Sequence, residues 1–141
     1  MKFVVSECLL GSNCKYNGGN NYTKEIVDFL EDKEYVTVCP ECLGGLSTPR
    51  DPSEICGDKV INKKGLDVTK EYNVGALKSL KIAKDFNADT AILKSNSPSC
   101  GCGMIYDGSF NKKLVSGDGI TTKLFKYNGI KVISSDYFIN K

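Results

Sequence analysis

Four short runs rich in apolar and β-branched residues recur along the chain: Phe3-Val4-Val5, Tyr35-Val36-Thr37-Val38, Thr90-Ala91-Ile92-Leu93 and Ile130-Lys131-Val132-Ile133. Runs of this kind read as strands, the first of them short and buried. Helical segments separate them. Residues 22–33 space Ile26, Val27, Phe29 and Leu30 helically, with Thr23 placed to cap and Glu25 one position early for a capping box. A second helix opens at Asp67 or Thr69 and runs to about Asn87, with Val74, Leu77, Leu80, Ile82, Ala83 and Phe86 in helical period. Residues 120–127 form a third, and residues 135–139 a final turn. Strands alternating with helices imply parallel pairing through crossovers, which are right-handed. The expected fold is α/β: a single domain over residues 1–141, with an open, mainly parallel sheet of about four strands flanked by helices, Rossmann-like or flavodoxin-like. Two segments interrupt the alternation. Residues 40–65 read as a long loop with one short hairpin around Val60-Ile61, and residues 95–119 as a glycine-rich loop. Loops of that length in a compact domain point to function.

The net charge of +2 is small and the basic residues are dispersed. No nucleic-acid partner is therefore expected. No apolar run approaches a membrane span. The opening Lys2-Phe3-Val4-Val5 reads as a strand and not a secretion signal, so a cytoplasmic protein is expected. The chain has no histidine, which removes Ser-His-Asp and Cys-His catalysis and His-ligated zinc together. It has seven cysteines, an odd number that cannot pair completely in internal disulfides. In a reducing compartment such thiols bind metal or do chemistry more often than they pair.

Cys8 follows the first strand, Cys39 ends the second, and Cys100 lies shortly after the third. In an open parallel sheet these positions share the carboxyl edge, where ligands bind. Cubane iron–sulfur clusters are held by thiolates, and three thiolates leave one iron open as a Lewis acid. Two other readings remain. Cys39-Pro40-Glu41-Cys42 and Cys100-Gly101-Cys102 could together make a four-thiolate zinc site. Cys39 and Cys42 alone could be a redox dithiol. Cys14 and Cys56 read as packed thiols or supporting groups.

These residues sit in longer blocks. Ser6-Glu7-Cys8-Leu9-Leu10-Gly11 with Cys14-Lys15-Tyr16-Asn17-Gly18 resembles the opening of the thiouracil desulfidase family of bacteria and archaea. Cys39-Pro40-Glu41, Gly44-Gly45-Leu46 and Pro49-Arg50-x-Pro52-x-Glu54 resemble its second block, and Asp67-Val68-Thr69 with Gly75-Ala76 its third. Ser97-Pro98-Ser99-Cys100-Gly101 and Ile105-Tyr106-Asp107-Gly108-x-Phe110 resemble a fourth, and Gly117-Asp118-Gly119-Ile120-Thr121 continues the likeness. The resemblance implies a 4Fe–4S cluster on Cys8, Cys39 and Cys100, with Glu41 and Ser97 as catalytic residues. It implies a small thiolated base, similar to 2-thiouracil, as substrate. Lys15 and Asn17 depart from the family's usual Arg and Asp, and Cys42, Cys56 and Cys102 are not explained by it.

The mechanism so implied is non-redox hydrolysis. The substrate sulfur binds the open iron, Glu41 deprotonates a water that attacks the adjacent carbon, and Ser97 relays a proton. Sulfide stays on the iron transiently before leaving. Each residue has a structural alternative. Glu41 could pair with Arg50, Ser97 before Pro98 suits a turn, and Arg50 could clamp an anion or brace its loop. Lys94 at a strand end is undecided. The amide end of the helix after Gly119 favours anions.

Overall fold

The computed structural model describes residues 1–139; the last two positions of the expected domain lie outside the described residues. Strand β1 (Lys2–Ser6) runs into a 3-10 turn (Glu7–Leu10), followed by helix α1 (Lys24–Leu30) and strand β2 (Glu34–Val38). Helix α2 (Pro40–Leu43) and the strands β3 (Ser53–Cys56) and β4 (Lys59–Asn62) lead to α3 (Thr69–Asp85) and β5 (Thr90–Leu93). Then come β6 (Met104–Tyr106), β7 (Leu114–Ser116), α4 (Ile120–Tyr127), β8 (Lys131–Ser134) and α5 (Asp136–Ile139). The main sheet has the order β2-β1-β5-β8 with every pair parallel. The expected α/β architecture is the observed one.

Side-chain alternation along the strands builds two cores. Phe3, Val5 and Ile92 face one way and pack with Leu9, Ile26 and Leu30; Phe138 of α5 joins this layer through Phe29, ring centroids 5.2 Å apart. Val4, Ala91 and Leu93 face the other way, against Leu80 and Ala83 of α3 and Phe125 of α4. Each fully buried Phe, Ile or Leu in these layers contributes about 1.5–3 kcal/mol. Helices therefore cover both faces of the sheet. Among the described residues, no helix is long and apolar enough to cross a membrane.

Some element boundaries differ from the sequence expectation and others match it. Helix α1 begins at Lys24, and the Thr23 hydroxyl donates to the Asn21 carbonyl at 2.9 Å instead of capping it. Helix α3 begins at Thr69, whose amide and hydroxyl both donate to Asp67 Oδ1 at 2.9 and 2.6 Å. It ends at Asp85, and Asn87 turns the chain with φ +60. Residues 40–65 hold the expected hairpin around Val60-Ile61, pairing Ser53 with Asn62 and Cys56 with Lys59, and add the short helix α2, which was not expected. Residues 95–119 likewise contain the β6–β7 hairpin.

Chain direction fixes where a site can form. From β1 the chain crosses to β2 on one side; from β5 it crosses to β8 on the other. The carboxyl ends of β1 and β5 therefore flank the crevice where such sheets bind ligands. Ser6 ties the two ends together: its Oγ accepts the Lys94 amide at 3.0 Å and donates to Cys100 Sγ at 3.5 Å.

Candidate active site

A cavity of about 430 Å³ opens at this crevice, and Cys8, Cys14, Cys39 and Cys100 all line it, together with Glu41 and Ser97. Each thiol arrives on its own support. Cys8 sits in the 3-10 turn after β1, where the Asn21 side-chain amide donates to its Sγ at 3.4 Å. Cys39 is the N-cap of α2, with Pro40 in the first turn, where its missing amide costs nothing. Cys100 hangs from the loop after β5, and the start of α4 grips that loop. The amides of Gly119, Ile120 and Thr121 donate to the carbonyls of Gly101, Pro98 and Ser99 at 2.8–2.9 Å. Thr122 Oγ1 donates to the Cys100 carbonyl at 2.9 Å, and the buried Ser99 and Thr121 hydroxyls lie 2.8 Å apart. The helix end that could have bound an anion is thus occupied by the chain's own carbonyls.

The thiols are electrostatically linked. Cys39 Sγ lies 3.9 Å from the Cys14 carbonyl, and the side chains of Cys8, Cys14 and Cys39 shift one another's proton affinity. The Cys14 side chain, helped by Asn21, holds Cys8 below the ordinary thiol range despite burial. Cys39 lies well above that range, first because of the Cys14 side chain and then because it is buried. Burial pushes Cys100 up to about 12. Cys14 was expected as a packed or supporting thiol; it acts on both Cys8 and Cys39 at the cavity wall.

Glu41 lies in the first turn of α2, and its contacts converge on one oxygen. Tyr72 Oη donates to Oε1 at 2.8 Å and Arg50 Nε to the same atom at 3.2 Å. No other hydrogen bond reaches the carboxylate among the described residues, so Oε2 remains available. Arg50 braces its loop: it also donates to the Ser47 and Cys14 carbonyls at 3.2 and 2.9 Å and to Thr48 Oγ1 at 3.0 Å. Its side chain is only 8% exposed. Ser97 is a turn residue at the cavity wall. Its Oγ accepts the amides of Ser99 and Cys100 at 3.0 Å each. Two accepted hydrogen bonds fix the oxygen and aim its own proton elsewhere. Lys94 also reaches the cavity, with Nζ donating to Ser95.

The remaining thiols stand apart from this cavity. Cys102 Sγ lies 3.9 Å from the Val132 carbonyl and does not line the cavity, so Cys39, Cys42, Cys100 and Cys102 do not converge as a four-thiolate zinc site would require. Among the described residues, no group of Cys, Asp and Glu side chains is arranged to hold a single metal ion. Cys42 borders a smaller recess beside Cys39, 3.5 Å from Thr48 Oγ1. Cys56 packs on the Gly108 carbonyl. Glu54 belongs to the second family block, but the sequence gives it no role. It sits on β3, buried at the cavity wall, and only the hairpin that carries it reveals its position.

Comparison with known proteins points one way. The model of a family described as 2-thiouracil desulfurase matches residues 3–137. The uncharacterized protein YbbK of Bacillus subtilis (strain 168) is 45% identical over 143 residues, covering 94% of this chain and 95% of that protein. The solved structure of TudS, described as a [4Fe-4S]-dependent thiouracil desulfidase, superposes with a TM-score of 0.92 at 40% identity. The match covers 99% of this chain and 93% of TudS.

Proposed function

We propose, from the premise that this chain belongs to the 2-thiouracil desulfurase family, that it is a cytoplasmic enzyme removing sulfur from a small thiolated base by non-redox hydrolysis. Its cofactor in this reading is a 4Fe–4S cluster, the group named for the structural relative TudS. The carrying observation is that Cys8, Cys39, Cys100, Glu41 and Ser97 line one cavity at the carboxyl edge of the sheet.

The residues present fit such a cluster. The cavity offers sulfur donors from three separate segments, the ligand type these clusters take. Burial and mutual contacts hold Cys39 and Cys100 as neutral thiols when no metal draws off their protons. Cys8, Cys39 and Cys100 would hold the cluster, and Cys14 would support Cys8 and Cys39. When bound, the cluster supplies a soft Lewis acid for the substrate sulfur.

The protein's own groups do the rest. Glu41 is anchored through Oε1 and presents Oε2 to the cavity, where it takes a proton from the attacking water. Anchoring one oxygen fixes the direction from which that proton is taken. Ser97 Oγ, held by two amides, keeps its hydroxyl proton for the substrate and the departing sulfur. Water oxygen replaces sulfur on the carbon, giving a carbonyl and hydrogen sulfide with no net electron transfer.

Sulfide release from 2-thiouracil by anaerobically purified protein tests this. The expected result is turnover by the wild type and loss of turnover, with the cluster retained, in Glu41→Gln. Unchanged turnover in that variant would reject Glu41 as the base.

A further inference from the structure

Three carboxylates line the cavity: Glu7, Glu41 and Glu54. Glu7 is engaged by the Ser12 hydroxyl at 2.6 Å, and Glu41 by Arg50 and Tyr72. Glu54 is different. The residue is only 8% exposed, and no Lys or Arg lies within ion-pairing distance of it among the described residues. Its Oε1 accepts the amides of Gly108 and Phe110 at 2.9 and 3.1 Å. Its Oε2 has no hydrogen-bond partner among the described residues. Among the described residues no sealed side-chain oxygen lacks a hydrogen bond, so Oε2 is open to solvent-filled space, and the cavity is the space Glu54 lines.

The loop that Oε1 holds is already pinned by other means. Gly108 has φ +93, and a Cβ there would lie 2.8 Å from the Ile55 carbonyl oxygen. Asp107 Oδ1 accepts the Ser109 amide at 2.9 Å. Bracing the loop thus accounts for one oxygen of Glu54 and leaves the other unused. A buried carboxylate is costly unless its oxygens find donors. Because it accepts and does not donate, it selects a ligand that presents N–H.

We infer that Glu54 Oε2 accepts a hydrogen bond from a ring N–H of the substrate, so the site selects thiolated bases whose ring nitrogen next to the thiocarbonyl is unsubstituted. This rests on the desulfidase reading and adds a specificity-determining residue to it. N-alkylation removes the donor and places a methyl group against the carboxylate, so alkylated bases are rejected. Phe110, whose amide shares Oε1 and which also lines the cavity, borders the same part of the site.

The test is equilibrium binding to the cluster-loaded protein, followed by NMR, of uracil, 1-methyluracil and 3-methyluracil. These ligands lack sulfur, so binding is read independently of turnover. One methyl isomer should bind at least about 100-fold more weakly than uracil to the wild type. Glu54→Gln retains an oxygen for the two loop amides but turns an amide donor toward the cavity. It should bring that ratio to within about threefold, with iron content and melting temperature unchanged. The same ratio in both proteins, no discrimination in the wild type, or no binding of uracil would each overturn the inference. Sulfide release from 2-thiouracil is measured alongside. Its absence beside N–H-dependent binding would reject the desulfidase reading and leave the role of Glu54 standing.

Discussion

Tyr72 Oη donates to Glu41 Oε1 at 2.8 Å, joining the first turn of α3 to the first turn of α2. Tyr72 is 1% exposed, and burial followed by the nearby carboxylate pushes its hydroxyl well above the usual tyrosine range. It is therefore a fixed donor at working pH. Tyr72→Phe leaves Glu41 with Arg50 alone and frees the carboxylate to swing. Sulfide release should fall about tenfold, equivalent to about 1.4 kcal/mol, with iron content unchanged. A kcat/KM within about twofold of wild type would show that Tyr72 does not orient the base.

Gly75 sets how closely the two helices approach. A methyl group there would overlap the Pro40 carbonyl oxygen, and one at Gly44 would overlap the Glu71 carbonyl oxygen. Neither obstacle is a flexible side chain. Gly75→Ala must push α2 away and carry Cys39 and Glu41 with it. We expect a loss of about 1–3 kcal/mol in a denaturant titration, outweighing the gain in helix propensity. Iron retention should fall in the same variant. An unchanged midpoint with full iron content would mean that α2 can move without disturbing the site.

The thiols predict a pH dependence for the protein stripped of metal. Cys39 lies above its ordinary value of 9.0, and Cys100 is raised from 9.0 to about 12. A raised pKa means that the folded state keeps a proton the unfolded state gives up first. The stabilisation is present below the unfolded value and is lost as pH climbs from near 9 toward 12. Unfolding midpoints of the stripped protein should therefore fall between pH 8 and 11, and less steeply in Cys100→Ala. Cys8 is shifted the other way and should be the first of the cavity thiols alkylated as pH rises from neutrality. Peptide mass spectrometry after brief iodoacetamide treatment reads that order. Alkylation of Cys100 before Cys8 would contradict it.

What the sequence reveals depends on how much pattern each element carries. The four sheet strands are compact apolar and β-branched runs, of which Thr90-Ala91-Ile92-Leu93 is buried at every position, and α3 keeps its period over 17 residues. From these alone the carboxyl edge, and hence the neighbourhood of Cys8, Cys39 and Cys100, can be deduced. The β6 and β7 strands have three residues each, and Leu114, Val115 and Ser116 are all exposed, so no alternation marks them. Helix α2 has four residues and depends on contact with α3 through Gly44 and Gly75, a tertiary cause invisible to local propensity. The place of Glu54 at the cavity wall is hidden for a related reason. The amides that hold it, those of Gly108 and Phe110, lie more than fifty positions away, and only the packing of the two hairpins brings them to it. Arg50 posed an ambiguity that sequence could not resolve, because the choice between clamp and brace rests on where its guanidinium hydrogen bonds go.

The division of labour among the thiols is the central claim, and metal analysis tests it most directly. Iron and acid-labile sulfide are measured per chain in protein purified without oxygen, for the wild type and single Cys→Ala variants. The account predicts about four of each in the wild type and in Cys102→Ala, and almost none in Cys8→Ala, Cys39→Ala or Cys100→Ala. A full cluster surviving loss of any of those three, or a cluster lost with Cys102, would contradict it.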